Sequence, residues 1–289
     1  MAVDPIESAA SGFAFQVERF YAALIQAADG LPQVPHLRPG ISVREAASGP
    51  EPGLGGKLLY AGKLEDEARA LLVAANIAGA ASLVSTANAA AGKQAIRDGV
   101  VDFLVTSLDE ALRILKNEIR KRETAAVCVL LPPEAVEREM LERGVVPDLA
   151  RPIELAVQMK ALALLSWRVA SSPVLWLPKL DAIALSCLDG NMGAPEPALS
   201  LPKICPEPVE ERLDSETWDS ARRWLRLAPR YLGRLARGVR LLRCDESTAL
   251  DFLARVRGAV GRYDIGVSVE ITLSRNGQPE HYSFAPPIR

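Results

Sequence analysis

The sequence predicts an α/β protein, with a parallel sheet covered by helices on both faces and a smaller C-terminal α+β domain. From Lys57 onward, short apolar runs alternate with segments whose apolar residues recur at helical spacing. The runs are apolar almost throughout, as is typical of parallel strands buried on both faces. Near the C-terminus, Val267, Val269, Ile271 and Leu273 alternate with polar residues, which predicts a half-buried strand.

In the part predicted to form the parallel sheet, strands and helices alternate regularly along the chain. We predict strands at 58–61, 81–85, 101–106 and 126–131, and helices at 64–78, 91–98, 108–122 and 133–143. Ser107 and Glu110 have the spacing of a capping box, in which the serine hydroxyl accepts from the Glu110 amide. An amphipathic helix at 13–28 and a loop rich in proline and glycine precede this part.

Beyond residue 150 the pattern is less regular. A helix is predicted at 153–170, and the apolar runs 174–177 and 183–188 are interpreted as strands that extend the same layers. A proline-rich stretch at 195–208 indicates a domain boundary. Further on we predict a helix at 215–228, interrupted at Pro229, a second helical run from there to about residue 239, and a third helix at 250–260. Strands are predicted at 241–243, 267–273 and 281–284. The last two strands flank Asn276-Gly277, a hairpin signal. The predicted domains are 1–56, 57–200 and 201–289.

Composition excludes several classes of protein. Hydrophobic residues make up 49% of the chain and the net charge is −2, so bulk positive charge does not hold a nucleic acid. We find neither a secretory signal pattern nor an apolar run long enough to span a bilayer, and therefore expect a cytoplasmic protein without membrane contact. No metal site is expected, because the cysteines are far apart and the two histidines lie near none of them. The cysteines are Cys128, Cys187, Cys205 and Cys244, and the histidines are His36 and His281.

Three segments carry a family resemblance. They are LLVAANIAGAASL at 71–83, TSLDEAL at 106–112 and LERGVVPD at 141–148. In this order and spacing they resemble the central Rossmann-like NAD-binding domain of urocanase, over residues 57–150. That enzyme hydrates urocanate with a tightly bound NAD, and members of the family tend to be dimers. The resemblance therefore implies a Rossmann-like fold, an NAD site and a homodimer.

The chain departs from the family pattern at the phosphate-binding turn. Gly62 remains, but the residues after it are Lys63-Leu64-Glu65-Asp66-Glu67, in place of the glycine-rich fingerprint. Carboxylates at a helix N-terminus complement its dipole and repel a pyrophosphate. The second strand ends at Ser85 without the acidic residue that binds a ribose. Gly62 and Ser85 are the candidate cofactor contacts, and we expect no NAD to be held as in the enzyme.

Two further sets of residues are candidates for binding. Asp189 and Asn191 follow a predicted strand, where open α/β sheets bind ligands, although such residues also form tight turns. Arg226, Arg230 and Arg234 recur on one face of a predicted helix within the arginine-rich segment 222–243. This stripe suits an anionic partner, such as an acidic protein surface, a polyphosphate or a nucleic acid, or it is a solvated face paired with acids of the same chain.

Three functional hypotheses remain open. The first is a urocanase-like module that has lost NAD and serves as a non-catalytic protein of binding or assembly, or binds another small ligand. The second is an NAD-dependent hydratase or other lyase related to urocanase. The third is an anion- or nucleic-acid-binding protein that uses the arginine-rich helix. The sequence lacks the G-x-S-x-G, Walker A and H-E-x-x-H motifs, so no catalytic residue is assigned and an enzyme is the less favoured reading.

Overall fold

The computed structural model describes residues 5–29, 53–151, 162–190, 215–233, 235–236, 238–275 and 278–287. The chain divides into two compact units. The first contains Met1–Val157 and Leu227–Arg237, and the second contains Gln158–Arg226 and Gly238–Arg289. The predicted linker at 30–52 and the predicted boundary near residue 200 lie outside the described residues.

The first unit begins with a long helix and continues as alternating strands and helices. The helices are α1 (Pro5–Asp29), α2 (Asp66–Ala78), α3 (Ala89–Asp98), α4 (Leu108–Lys121) and α5 (Pro133–Glu142). The strands are β1 (Leu58–Lys63), β2 (Ala81–Ser85), β3 (Phe103–Val105), β4 (Ala126–Val129) and β5 (Leu149–Ala150). Each predicted strand and helix of this part is therefore present, and β5 is an additional strand of two residues.

The five strands form one parallel sheet in the order β3-β4-β2-β1-β5. Alternate residues of the central strands face helices α4 and α5, including Tyr60, Leu83 and Val127. Helix α2 packs against β1 and β2 and in turn contacts α1. Its residues from Ala70 to Ala78 are all buried, because α2 lies between the sheet and α1. This confirms the predicted Rossmann-like sheet.

Local capping explains where these helices begin and end. Ser107 caps α4 by accepting a hydrogen bond from the Glu110 amide at 3.3 Å, as the capping-box spacing predicts. Gly79 and Gly99 end α2 and α3 in the left-handed conformation, with φ of 94° and 75°. Glycine adopts these φ values without the steric penalty of a Cβ, so the chain can turn at once into the next strand.

The second unit contains an antiparallel sheet. Its elements are β6 (Ala163–Val169), α6 (Pro173–Gly190), α7 (Ser215–Tyr231), β7 (Arg240–Cys244), α8 (Glu246–Gly261), β8 (Val269–Arg275) and β9 (Gln278–Phe284). The last turn of α7, from Leu227, is counted with the first unit. The strand order is β7-β6-β8-β9, and every neighbouring pair is antiparallel. The predicted C-terminal hairpin is confirmed, with Arg275 opposite Gln278.

Three predictions beyond residue 150 are wrong. The predicted helix at 153–170 is strand β6 in its described part, and β6 belongs to the antiparallel sheet. The runs 174–177 and 183–188 are not strands, because both lie in helix α6. Helix α7 continues through Pro229 to Tyr231, and the described residues among 232–239 form no second helix. An apolar run without a clear period does not distinguish a buried helix from a strand, which accounts for the second error.

No helix within the described ranges is long and apolar enough to cross a membrane.

Candidate functional site

The carboxyl edge of the parallel sheet is where an open α/β sheet binds its ligands. The loops after β1, β2 and β4 meet there, because parallel strands end at the same edge. Both candidate cofactor contacts lie at this edge, Gly62 near the end of β1 and Ser85 as the last residue of β2. The Ser85 hydroxyl donates a hydrogen bond to the Gly62 carbonyl oxygen at 3.3 Å, so the structure brings Gly62 and Ser85 together.

Gly62 is required by the backbone at this position. The pairing of β1 with β2 is irregular between Tyr60 and Lys63, and Gly62 has a φ of 74° in this irregularity. A Cβ added there meets no atom within 4 Å. The left-handed conformation therefore accounts for the glycine without any close approach of a ligand.

We expect Gly62→Val to destabilise the protein by about 2 kcal/mol, because a β-branched residue is strained at positive φ. Gly62→Asn should cost less, since asparagine tolerates the left-handed region. Chemical denaturation followed by circular dichroism measures both. Equal losses of unfolding free energy in the two variants would contradict a purely conformational role. Neither side chain meets a close neighbour at its Cβ, so the variants should differ in how well each residue tolerates a positive φ.

The N-terminus of α2 carries carboxylates where a pyrophosphate would lie. Glu65 is the N-cap residue, and Asp66 and Glu67 occupy the first turn. Lys63 Nζ lies 2.8 Å from Glu65 Oε1, and Arg151 forms an ion pair with Glu67. The hydrogen bond from Lys63 lowers the pKa of Glu65, so this carboxyl is ionised at neutral pH. The helix dipole thus faces acids of its own chain, two of which are paired with cations.

The loop after β2 is held by bonds within the chain. The Thr86 amide donates to the Val129 carbonyl oxygen at 3.0 Å, and the Asn88 amide donates to Thr86 Oγ1 at 3.1 Å. Asn88 Oδ1 in turn caps α3 by accepting from the amides of Ala90 and Ala91. Hydrogen bonds within the chain therefore account for the conformation of this loop.

Tyr60 is a polar group that sequence reasoning missed. Its hydroxyl donates to Glu137 Oε1 of α5 at 3.1 Å. Burial raises the pKa of Tyr60 to about 12, and a hydrogen bond with Ser85 partly opposes this rise. The phenol is consequently protonated at neutral pH. The only signal in the sequence was an aromatic residue with a polar tip inside an apolar strand.

The candidate ligand residues of the second unit are placed differently from the prediction. Asp189 lies in the last turn of α6, not after a strand, and its carboxylate pairs with Arg222 at 2.7 Å. Arg222 also lies 3.6 Å from Asp219. Asn191 lies outside the described residues. Asp189 is thus part of an internal ion pair, because the apolar run before it forms a helix.

The arginine stripe is only partly described. Arg226 and Arg230 are exposed on α7, and the Arg230 guanidinium lies 5.3 Å from the centre of the Tyr231 ring. Arg234 lies outside the described residues. Within the described ranges, no group of three or more His, Cys, Asp or Glu side chains could hold a metal ion.

One continuous segment of the chain contains the parallel strands, helices α2 to α5 and their connecting loops. Residues 49–152 match the urocanase Rossmann-like domain. The match covers about a third of the chain and contains β1 to β5 and α2 to α5. It confirms the resemblance carried by 71–83, 106–112 and 141–148. It ends before β6, so the antiparallel sheet and its helices lie outside the matched region.

Proposed function

We propose that this chain is a non-catalytic binding or assembly protein, whose urocanase-like Rossmann module does not hold NAD as dinucleotide enzymes do. The observation that carries this proposal is the N-terminus of α2. Three carboxylates stand there, and Lys63 and Arg151 are engaged with two of them. A pyrophosphate would meet like charges and would have to compete for the two cations.

The alternative proposal is an NAD-dependent hydratase or other lyase related to urocanase. The match of residues 49–152 to the urocanase Rossmann-like domain favours this alternative. It requires NAD contacts from positions other than the turn after β1. Gly62 and Ser85 bond to each other there, which accounts for both residues without a nucleotide.

The two proposals can be distinguished by identifying the small molecules that the purified protein releases when it is denatured. We expect no stoichiometric NAD by mass spectrometry and no thermal shift on addition of NAD to the native protein. Bound NAD would instead favour the hydratase proposal and would contradict our account of the turn at 62–67.

A charge-neutralised variant tests the physical cause. We expect Glu65→Gln/Asp66→Asn/Glu67→Gln to bind ADP roughly tenfold more tightly than the unchanged protein, because repulsion of the phosphates is removed. Asp109→Asn/Glu110→Gln is the matched control, since it neutralises the first turn of α4 at the same sheet edge. Equal ADP affinity in all three proteins would show that these carboxylates do not exclude the nucleotide.

The arginine-rich helix and the homodimer remain further proposals. Arg226 and Arg230 are exposed, which suits an acidic partner. Binding of RNA or polyphosphate would weaken steeply with salt. Charge reversal in Arg226→Glu/Arg230→Glu should then abolish this binding, and unchanged binding would rule out the stripe as its site.

A further inference from the structure

A groove of about 640 Å³ lies between helices α6 and α8, wholly within the second unit. Small residues form much of its wall, namely Ala182 on α6 with Ala254 and Gly258 on α8. Ile183 and Ile265 add larger apolar surface. The volume is in the range of known small-molecule sites, which are also lined mainly by apolar side chains.

The two helices run in opposite directions along the groove. Lys179 of α6 donates to the Asp264 carbonyl oxygen just beyond the end of α8, at 3.4 Å. About two turns further along α6, the Ser186 hydroxyl accepts from Arg255 Nη1 at 3.2 Å. Cationic side chains therefore line both ends of an apolar groove.

The charges on this rim do not balance within the described residues. Arg255 is paired with Asp251 through two contacts of 3.0 and 2.8 Å, and Arg262 lies 3.1 Å from Asp264. Lys179 forms no ion pair within the part of the chain that the structure describes. Its ammonium lies 4.4 Å from the centre of the Trp176 ring, which orients it without neutralising its charge.

From these observations we infer that the groove binds a small carboxylate with an apolar body. The apolar body lies along Ala182, Ala254 and Gly258, where it is removed from water. The carboxylate accepts a charge-assisted hydrogen bond from Lys179, whose charge is otherwise unpaired within the described residues. Arg262 lies at the same end, but Asp264 pairs with it, so Lys179 alone among the described residues supplies the unpaired charge there. The site is independent of the proposal for the Rossmann-like module, because it lies outside residues 49–152.

Titration of the full chain with octanoate by calorimetry tests this inference. We expect saturable binding of octanoate and none of heptyltrimethylammonium, which has the same alkyl chain and the opposite charge. Lys179→Met should weaken octanoate binding about tenfold, the typical effect of losing one charge-assisted hydrogen bond. Lys116→Met, at an exposed lysine of α4, should leave it unchanged.

A second variant tests the groove without relying on charge. Ala182 is exposed, so Ala182→Trp should fold and fill the groove, and octanoate binding should be lost. Ala90→Trp, on the exposed start of α3, is the matched control. Absence of saturable binding to the unchanged protein would overturn the inference. So would octanoate binding that survives both Lys179→Met and Ala182→Trp, or equal binding of the ammonium compound.

Discussion

Arg240→Met is expected to destabilise the second unit by about 3 kcal/mol at neutral pH. Arg240 Nε donates to Asp181 Oδ2 at 3.1 Å, and both side chains are only 13% exposed. Loss of one partner leaves a largely buried carboxylate without its counter-charge, which costs far more than loss of an exposed pair. Arg257→Met, at an exposed arginine of α8, is the matched control and should change stability by less than about 0.5 kcal/mol.

The pH dependence of this loss has a definite sign. Burial raises the pKa of Asp181 above its ordinary value, and Arg240 opposes the rise. A carboxyl whose folded-state pKa is raised contributes stability that is fully present below its unfolded pKa and is lost as pH rises through the folded pKa. Removal of Arg240 raises that pKa further. The penalty of Arg240→Met should therefore be greatest at neutral pH and should shrink in acid, where Asp181 is protonated.

Denaturation followed by tryptophan fluorescence measures the effect in the correct unit. All four tryptophans belong to the second unit, at 167, 176, 218 and 224. Asp181→Leu/Arg240→Met should recover stability to within about 1 kcal/mol, because it removes the buried charge together with its partner. A double variant as unstable as Arg240→Met would contradict an electrostatic cause and would point to lost packing of the arginine side chain.

The environment of Asp181 explains why the pair is costly to break. Asp181 lies on α6, Arg240 on β7 and Trp167 on β6. The centres of the Trp167 and Phe252 rings are 4.9 Å apart. Asp181 Oδ1 and Trp167 Nε1 are buried and form no hydrogen bond within the described residues. The Trp167 indole only weakly opposes the rise in the pKa of Asp181, so the carboxylate depends mainly on Arg240, its ion-pair partner within the described residues.

The first unit could be predicted from sequence because its signals are local. Each strand is a short apolar run, and residues such as Gly79, Gly99 and Ser107 mark the helix ends by backbone conformation or capping. Strand β5 was missed because two residues have no periodicity. Only its pairing with β1 defines it as a strand.

Helix α6 and strand β6 show where local signals fail. Apolar residues are not confined to one side of the segment 173–190, since Val174 and Leu175 are exposed, so no period identifies it as a helix. In β6, Ala163, Leu165 and Trp167 are buried while the residues between them are half-buried. The pattern has a period of two, but Leu164 occupies an outward position with an apolar side chain. The pairing of β6 with β7 and β8, and not the local sequence pattern, defines this segment as a strand.

The candidate site was predictable only in part. Gly62 and Ser85 could be placed at one edge of the sheet, because the ends of β1 and β2 follow from the strand pattern. The pairs Tyr60–Glu137 and Arg151–Glu67 join residues 77 and 84 positions apart, and no local pattern relates such partners. The acids of α2 were recognised in the sequence, whereas the cations that engage them were found only in the fold.

Gly92→Leu is expected to destabilise the first unit by about 3 kcal/mol. Gly92 is buried in α3, and a Cβ added there would lie 2.8 Å from Leu104 Cδ1 and 3.3 Å from Leu130 Cδ2. Leucine would force α3 away from the sheet, since a packed interior accommodates extra methylenes poorly. Gly92→Ala is the matched control. Its clash involves the flexible end of Leu104 and is offset by about 1 kcal/mol of helix propensity, so stability should change little.

Hydrogen exchange shows where the effect of Gly92→Leu arises. We expect faster exchange in α3 and in the loop after β2, because Asn88 joins the two by capping α3. Exchange in α6 and α8 of the second unit should stay the same. Faster exchange throughout both units, with none localised to α3, would contradict a local packing cause. Close contact between α3 and Leu104 and Leu130 leaves no room at position 92 for a side chain larger than a methyl group. Gly92 is therefore explained by packing, whereas Gly62 is explained by backbone conformation.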